Sequence, residues 1–253
     1  MRISERLERE GEFLFRWRSY LPLLLLPFLA AALVEAADIL RGTGEFWHHL
    51  AFAGAISISL AGLALRAVTI GHAPAGTSGR NTHGQVAEVL NTTGLYSVVR
   101  NPLYLGNFLM ILGVVLATEV WWLVAIVSLA FWISIERIIA AEERYLASRF
   151  GDSYRAWAER TPVFWPDWRL WRPAAQELSL RTILKREHYG LLGLATAFLA
   201  SEALLDLLVR GEPVADWAMD DWPWIAFFVF AAFASVTLRL LKKRTSLLFA
   251  PGR

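Results

Sequence analysis

Six apolar stretches, at about 20–37, 47–70, 103–117, 120–138, 189–209 and 223–241, constrain this chain more than any other feature. A helix that crosses the roughly 30 Å hydrocarbon layer needs about 20 apolar residues. In lipid, every backbone N–H and C=O must be satisfied within the structure itself. The runs therefore predict an all-α, polytopic transmembrane bundle of about six membrane helices. The third and fourth are separated only by Thr118 and Glu119, which predicts a tight helical hairpin over 103–138. The third is about 15 residues long, or about 22 Å, which leaves open whether it crosses the whole layer. The composition agrees, with 56% hydrophobic residues among 253, and with 12 Trp and 6 Tyr recurring near the ends of the runs. Amphipathic rings favour the headgroup layer. The N-terminus carries acids and bases before its first apolar run and no small-residue cleavage site after it, so no cleavable signal peptide is expected.

Charge sets the expected orientation. The segment before the first run holds five Lys/Arg, the 66–100 region three, the 137–188 region ten and the tail from Arg239 five; the loops between hold only Arg41 and Arg210. The positive-inside rule puts the first group in the cytoplasm, with both termini there. Two segments read as cytoplasmic amphipathic helices on the membrane surface. Residues 1–19 set Ile3, Leu7, Phe13, Leu14 and Trp17 among Arg and Glu, and residues 173–187 set Leu178, Leu180, Ile183 and Leu184 beside Arg181, Lys185 and Arg186. Alternatively both are plain connectors with snorkelling cations. The chain has no cysteine, which excludes disulfides, thiolate nucleophiles and cysteine metal sites. Its five His show no H-x-x-x-H spacing, so no metal is expected; no nucleic-acid partner is expected of such a membrane chain either.

Between the second and third runs lies a polar loop of about 25–30 residues, far longer than the usual connection. It ends in Gly94-x-Tyr96-x-x-x-Arg100-Asn101-Pro102-x-Tyr104-Leu105-Gly106. Pro102 suits the first turn of a helix, where a missing N–H costs nothing. The free N–H groups of that turn, with Arg100 just before, suit a carboxylate or phosphate. Gly106, one turn in, lets a ligand or a second helix approach closely. The competing reading makes Arg100 a membrane anchor, Tyr104 an interfacial aromatic and Gly106 a packing residue.

A second constellation follows the fourth run. Glu136 and Glu143 are seven apart on a continuing helix, with Arg137 and Glu142 near the same membrane boundary. Acids close to the hydrocarbon edge are commonly functional, although Glu and Arg at helical spacing also pair on ordinary solvated helices. The hairpin should bring both constellations to one face of the membrane.

These residues resemble a known family. GLYSVVRNPLYLGN, followed about 35 residues later by AEERYLASRFGDSYRAWAERTPVFWP, is similar to the signature of the isoprenylcysteine carboxyl methyltransferases and of the phospholipid methyltransferases. Arg100, Pro102, Tyr104, Gly106, Glu142, Glu143, Phe150, Gly151, Tyr154 and Pro162 carry the resemblance over roughly 90–166. Asn101 stands where many members have His; an amide can donate to a carboxylate but cannot titrate.

The resemblance implies an S-adenosylmethionine-dependent membrane methyltransferase. Its donor would be held by Tyr96, Arg100, Asn101, Pro102, Tyr104, Leu105, Gly106, Glu142 and Glu143. Arg137 would orient an anionic acceptor, with Glu136 as its partner or as a base for an amine. The acceptor would be a membrane lipid headgroup entering from the bilayer. The loop residues His72, Arg80 and His83 suit a phosphorylated lipid, so O-methylation of a lipid phosphate of the lipid A type ranks first. Amine N-methylation and isoprenylcysteine carboxyl methylation are the alternatives. A sterol-type reductase, with NADPH held by Arg144 and Arg149, and a non-catalytic scaffold stay open from other classes. The chain then divides into an interfacial segment 1–19, two spans over 20–70, a donor-binding core 71–166, and an amphipathic segment with two spans over 167–253. The Ala/Arg/Leu-rich, Lys-poor composition suggests a bacterial inner membrane. Oligomeric state is not legible.

Overall fold

A computed structural model describes residues 10–11, 13–17, 20–42, 45–74, 77 and 87–252. Among these the secondary structure is helical. A 3-10 turn leads into α1 (Leu26–Gly42), followed by α2 (Glu45–Gly71), α3 (Pro102–Leu116) and α4 (Trp121–Phe150). A short α5 (Asp152–Ala158) precedes a largely irregular strap over 159–179 that holds one 3-10 turn, Trp168–Leu170; then come α6 (Leu180–Ala203), α7 (Val214–Asp220) and α8 (Trp222–Arg244). Four helical stretches are long and apolar enough to cross a membrane: His49–Gly71, Trp121–Phe150, Leu180–Arg210 and Trp222–Arg244. Leu23–Ala36 and Pro102–Leu116 are apolar but shorter. The chain is an integral membrane helical bundle in which four of the six expected crossings have full length.

The hairpin forms as its two-residue connection requires. Thr118 Oγ1 donates to Val115 O at 2.7 Å and closes the end of α3, and Glu119 takes a left-handed φ of 56° to reverse the chain. Beyond it α4 runs for 30 residues, roughly 45 Å at 1.5 Å per residue. The hydrocarbon layer takes only about 30 Å of this, so the last turns, with Glu142 and Glu143, project beyond it on the side where α3 begins.

Small residues let α2 and α3 approach closely. A Cβ on Gly62 would meet Gly106 O at 2.6 Å and Met110 N at 2.8 Å, and one on Gly113 would collide with Ser59 Oγ and Ala55 O. Ser59 Oγ donates to Met110 O at 2.9 Å. Lipid tails are as apolar as leucine, so helices in a bilayer associate through such close packing and interhelical hydrogen bonds. A second core joins α1, the hairpin turn and the end of α6 through Ala32, Leu33, Ala36, Val115, Val120, Leu123, Val127 and Leu205.

One ion pair ties α6 to this unit. Arg66 of α2 donates through Nε and Nη2 to both carboxylate oxygens of Glu187, at 2.9 and 2.7 Å, and through Nη1 to Asn107 Oδ1 at 2.7 Å. The Arg66 and Glu187 side chains are only 14% and 4% exposed. This corrects the reading of 173–187 as a surface helix. Residues 173–179 are extended, Ser179 caps Thr182 N, and 180–187 are the first turns of α6. Glu187 points inward because Arg66 offers it a bidentate partner, which exposure to solvent would not. Nearer the N-terminus, Phe15 is buried against Ile135, Ile138 and Ile139 of α4, while Phe13 and Trp17 are exposed. Residues 1–9 lie outside the described residues.

At the other end, α6 widens into a π-helical turn, Leu204–Arg210, where buried Asp206 accepts from Arg210 Nη1 at 2.6 Å. Carboxylate oxygens of Glu202, Asp206 and Asp221 converge there within 4.8 Å of one another. The sequence assigned Glu202 and Asp206 no role.

Two stability outcomes are expected in thermal unfolding of the detergent-solubilised protein. Gly62→Val should lower stability by about 1–3 kcal/mol through overpacking. Glu187→Ala, which strands a buried guanidinium, should cost about 3–5 kcal/mol, whereas the joint change Arg66→Met with Glu187→Leu should cost far less. Equal losses in the single and joint variants would contradict the pairing.

Candidate active site

Residues 94–101 form the floor of the candidate site. Gly94 adopts φ 59°, a conformation that favours glycine, and its N–H donates to Arg172 O at 3.0 Å. A 3-10 turn, Leu95–Ser97, follows, and Leu95, Val98 and Val99 are buried. The strap folds back over this segment. Arg100 N donates to Pro162 O at 2.8 Å, Asp167 N to Val98 O at 3.0 Å, and Arg172 N to Ser97 Oγ at 2.9 Å. Trp157 of α5 donates its indole N–H to Tyr96 O at 3.0 Å. Gly151, at φ 56°, makes the corner that brings α5 back to this position.

The two blocks meet as the hairpin predicts. Arg100 Nη1 lies 2.8 Å from Glu143 Oε1, and Tyr104 donates its hydroxyl to Glu142 Oε1 at 2.8 Å. Pro102 occupies the first turn of α3, and Asn101 precedes it. The Asn101 amide donates to Val163 O at 3.0 Å and does not cap the helix. Burial pushes the Tyr154 hydroxyl up to about 12, with the Glu143 charge adding to the shift and Arg100 opposing it. Burial raises Tyr96 further still, helped by Glu142 and opposed by Arg186 and Arg66. Both phenols therefore stay protonated at neutral pH. The Arg100 Nε atom is buried with no hydrogen-bond partner among the described residues.

Other expected residues fall elsewhere. Gly106 faces α2, where a Cβ would meet Arg66 Cγ at 2.5 Å and Gly62 O at 2.8 Å. Its close approach is to a helix, so it lets α2 pack against the motif. Leu105 is buried one turn into α3. Arg137 does not pair with Glu136, because adjacent helical residues point about 100° apart. It donates instead through Nε to Glu10 Oε2 at 2.9 Å and through Nη1 to Ile133 O at 2.7 Å, while Glu136 is exposed. His72 Nδ1 lies 2.7 Å from Gln176 O, against the connector that leads into α6. Arg80 and His83 lie outside the described residues. The sequence reading did not anticipate Arg66, Asn107 and Glu187, which wall the motif from the α2 side, nor Trp157 beneath Tyr96. Arg66 gave a signal, a cation five residues inside the end of an apolar helix.

With this geometry in hand, comparisons with known proteins are informative. Residues 50–153 match the family model described as phospholipid methyltransferase. Over 89 residues, 35% of this chain, the sequence is 40% identical to the cobalt-zinc-cadmium resistance protein CzcN of Cupriavidus metallidurans and 39% identical to the nickel-cobalt-cadmium resistance protein NccN of Alcaligenes xylosoxydans xylosoxydans. Over 74 residues, 29% of this chain, it is 36% identical to the protein-S-isoprenylcysteine O-methyltransferase of Schizosaccharomyces pombe. The matched stretch spans 41% of each of the first two relatives and 31% of the third. No solved structure matches. Residues 50–153 are thus similar to the phospholipid methyltransferases, and a shorter stretch to an isoprenylcysteine O-methyltransferase, both of them membrane methyltransferases.

Proposed function

We propose that the protein is an S-adenosylmethionine-dependent methyltransferase that modifies a membrane lipid headgroup at the cytoplasmic face of a bacterial inner membrane. One observation carries the reading: partly buried Arg100, held by Glu143, keeps a buried Nε with no hydrogen-bond partner among the described residues, beside the first turn of α3. A carboxylate supplies the acceptor that this donor lacks, and a charge-assisted bond of that kind is strong. The amino-acid end of the donor would lie there, and Glu142, presented by the Tyr104 hydroxyl, would take its polar groups further along. Leu105 and Pro102 would line the apolar side of that cradle, and Tyr96 and Asn101 its floor.

The bound donor supplies an electrophilic methyl group on sulfonium. The protein's part in such a displacement is to align donor and acceptor and to keep water out. A phosphate or carboxylate acceptor is already an anion, so the protein would have to orient its oxygen and would need no group to take a proton from it. This suits a site whose phenols stay protonated and whose Asn101 cannot titrate. An amine acceptor would first have to lose a proton, with Glu136 as the base. Arg137 would receive an acceptor anion in exchange for Glu10, and His72, Arg80 and His83 would be the residues to meet its headgroup.

O-methylation of a lipid phosphate is the acceptor chemistry we favour. Methylating a phosphate monoester removes an ionisable oxygen and weakens its hold on divalent cations, which gives the metal-resistance names of two relatives a chemical sense. Carboxyl methylation of an isoprenylcysteine is the second reading, favoured by the yeast relative.

Calorimetry on the reconstituted protein is expected to show saturable binding of S-adenosylmethionine and none of NADPH. Arg100→Ala should weaken the former at least about tenfold, the worth of one charge-assisted hydrogen bond, without changing the helical circular dichroism. NADPH binding, or unchanged affinity in the variant, would refute the assignment.

A further inference from the structure

The strap carries a surface that methyl transfer leaves unused. Trp165, Trp168 and Trp171 are 65%, 61% and 49% exposed, and Val163 is 40% exposed. Arg160, Arg169 and Arg172 are exposed among them. Asp167 spends its carboxylate on the Arg169 backbone N–H at 3.0 Å, leaving that guanidinium to the surroundings. Indole rings interleaved with cations suit the bilayer headgroup layer, where the ring is half in hydrocarbon and the cation meets phosphate.

The position of the strap fits that layer. Phe164 is buried against Phe108 of α3 and Trp132 of α4, with ring centroids 6.0 and 5.1 Å apart. Trp132 shares a face of α4 with Leu129 and Ile133, which are 62% and 50% exposed within a membrane-spanning stretch. Glu136, exposed one turn further along the same face, marks where that face leaves the hydrocarbon. The outer surface of the strap is thus continuous with the lipid-facing surface of α4 at its boundary.

The inner edge of the strap grips the candidate site. Pro162 O, Val163 O and Arg172 O accept from Arg100 N, the Asn101 amide and Gly94 N, at 2.8, 3.0 and 3.0 Å. A bilayer that seats the outer edge therefore also fixes residues 94–101. We propose that the strap is an anionic-lipid anchor whose engagement holds the Arg100 segment in its binding geometry. The anchoring stands on its own, and only its effect on donor affinity rests on the function proposed above.

The test uses the full chain in nanodiscs of phosphatidylcholine alone or of phosphatidylcholine with phosphatidylglycerol. The chain has no cysteine, so Val163→Cys can carry one fluorophore, and brominated phosphatidylcholine should quench it. Hydrogen exchange of residues 94–101 should slow in the anionic discs, and S-adenosylmethionine should bind about fivefold tighter there, the factor one basic residue at an anionic surface is worth. The triple variant Arg160→Gln, Arg169→Gln, Arg172→Gln should lose both responses. An unquenched probe, or exchange that ignores lipid charge, would overturn the proposal. Quenching and slowed exchange without any S-adenosylmethionine binding would uphold the anchor and overturn the proposed function.

Discussion

The Arg100–Glu143 ion pair exists only because α3 and α4 lie side by side and α4 is longer than the bilayer is thick. Glu143 is 43 positions from Arg100 in the chain, and every residue between them is needed to go up one helix, turn over Thr118 and Glu119, and return. A shorter return helix would leave both acids inside hydrocarbon, where unpaired charge is costly. The hairpin therefore sets the site, and the other helices hold the hairpin.

They do so by two different means. α2 packs on α3 through Gly62, Gly106, Gly113 and Ser59, so closely that the motif glycine serves helix packing. α6 is tied in by the buried Arg66–Glu187–Asn107 network, which spans the face of α2 that looks onto the motif. Glu187 lies beyond residue 153, outside the stretch that matches the phospholipid methyltransferase family. The matched stretch is thus tied to the C-terminal helices through a contact with a residue outside it.

The sequence made the helical bundle, the hairpin and the meeting of the two motif blocks legible, because each follows from run length, turn length and helix rise. It did not reveal the partners of long polar side chains. By sequence Arg66 belongs with the basic side and Glu187 with a surface segment, yet each sits well inside a helix and satisfies the other. Local spacing offers Arg137 its neighbour Glu136, whereas its partner Glu10 is 127 positions away and no local rule reaches it. The strap was equally hidden: its hydrogen bonds to 94–101 run through backbone carbonyls that any sequence could supply.

The central claim is that the paired blocks hold a methyl donor beside a membrane lipid. Incubating membranes that contain the protein, and membranes that lack it, with S-adenosylmethionine tritiated on its methyl group tests this most directly. The label should appear in the organic-solvent extract only where the protein is present, in one lipid class heavier by one methylene. Label that stays water-soluble, or that follows the protein fraction, would contradict it.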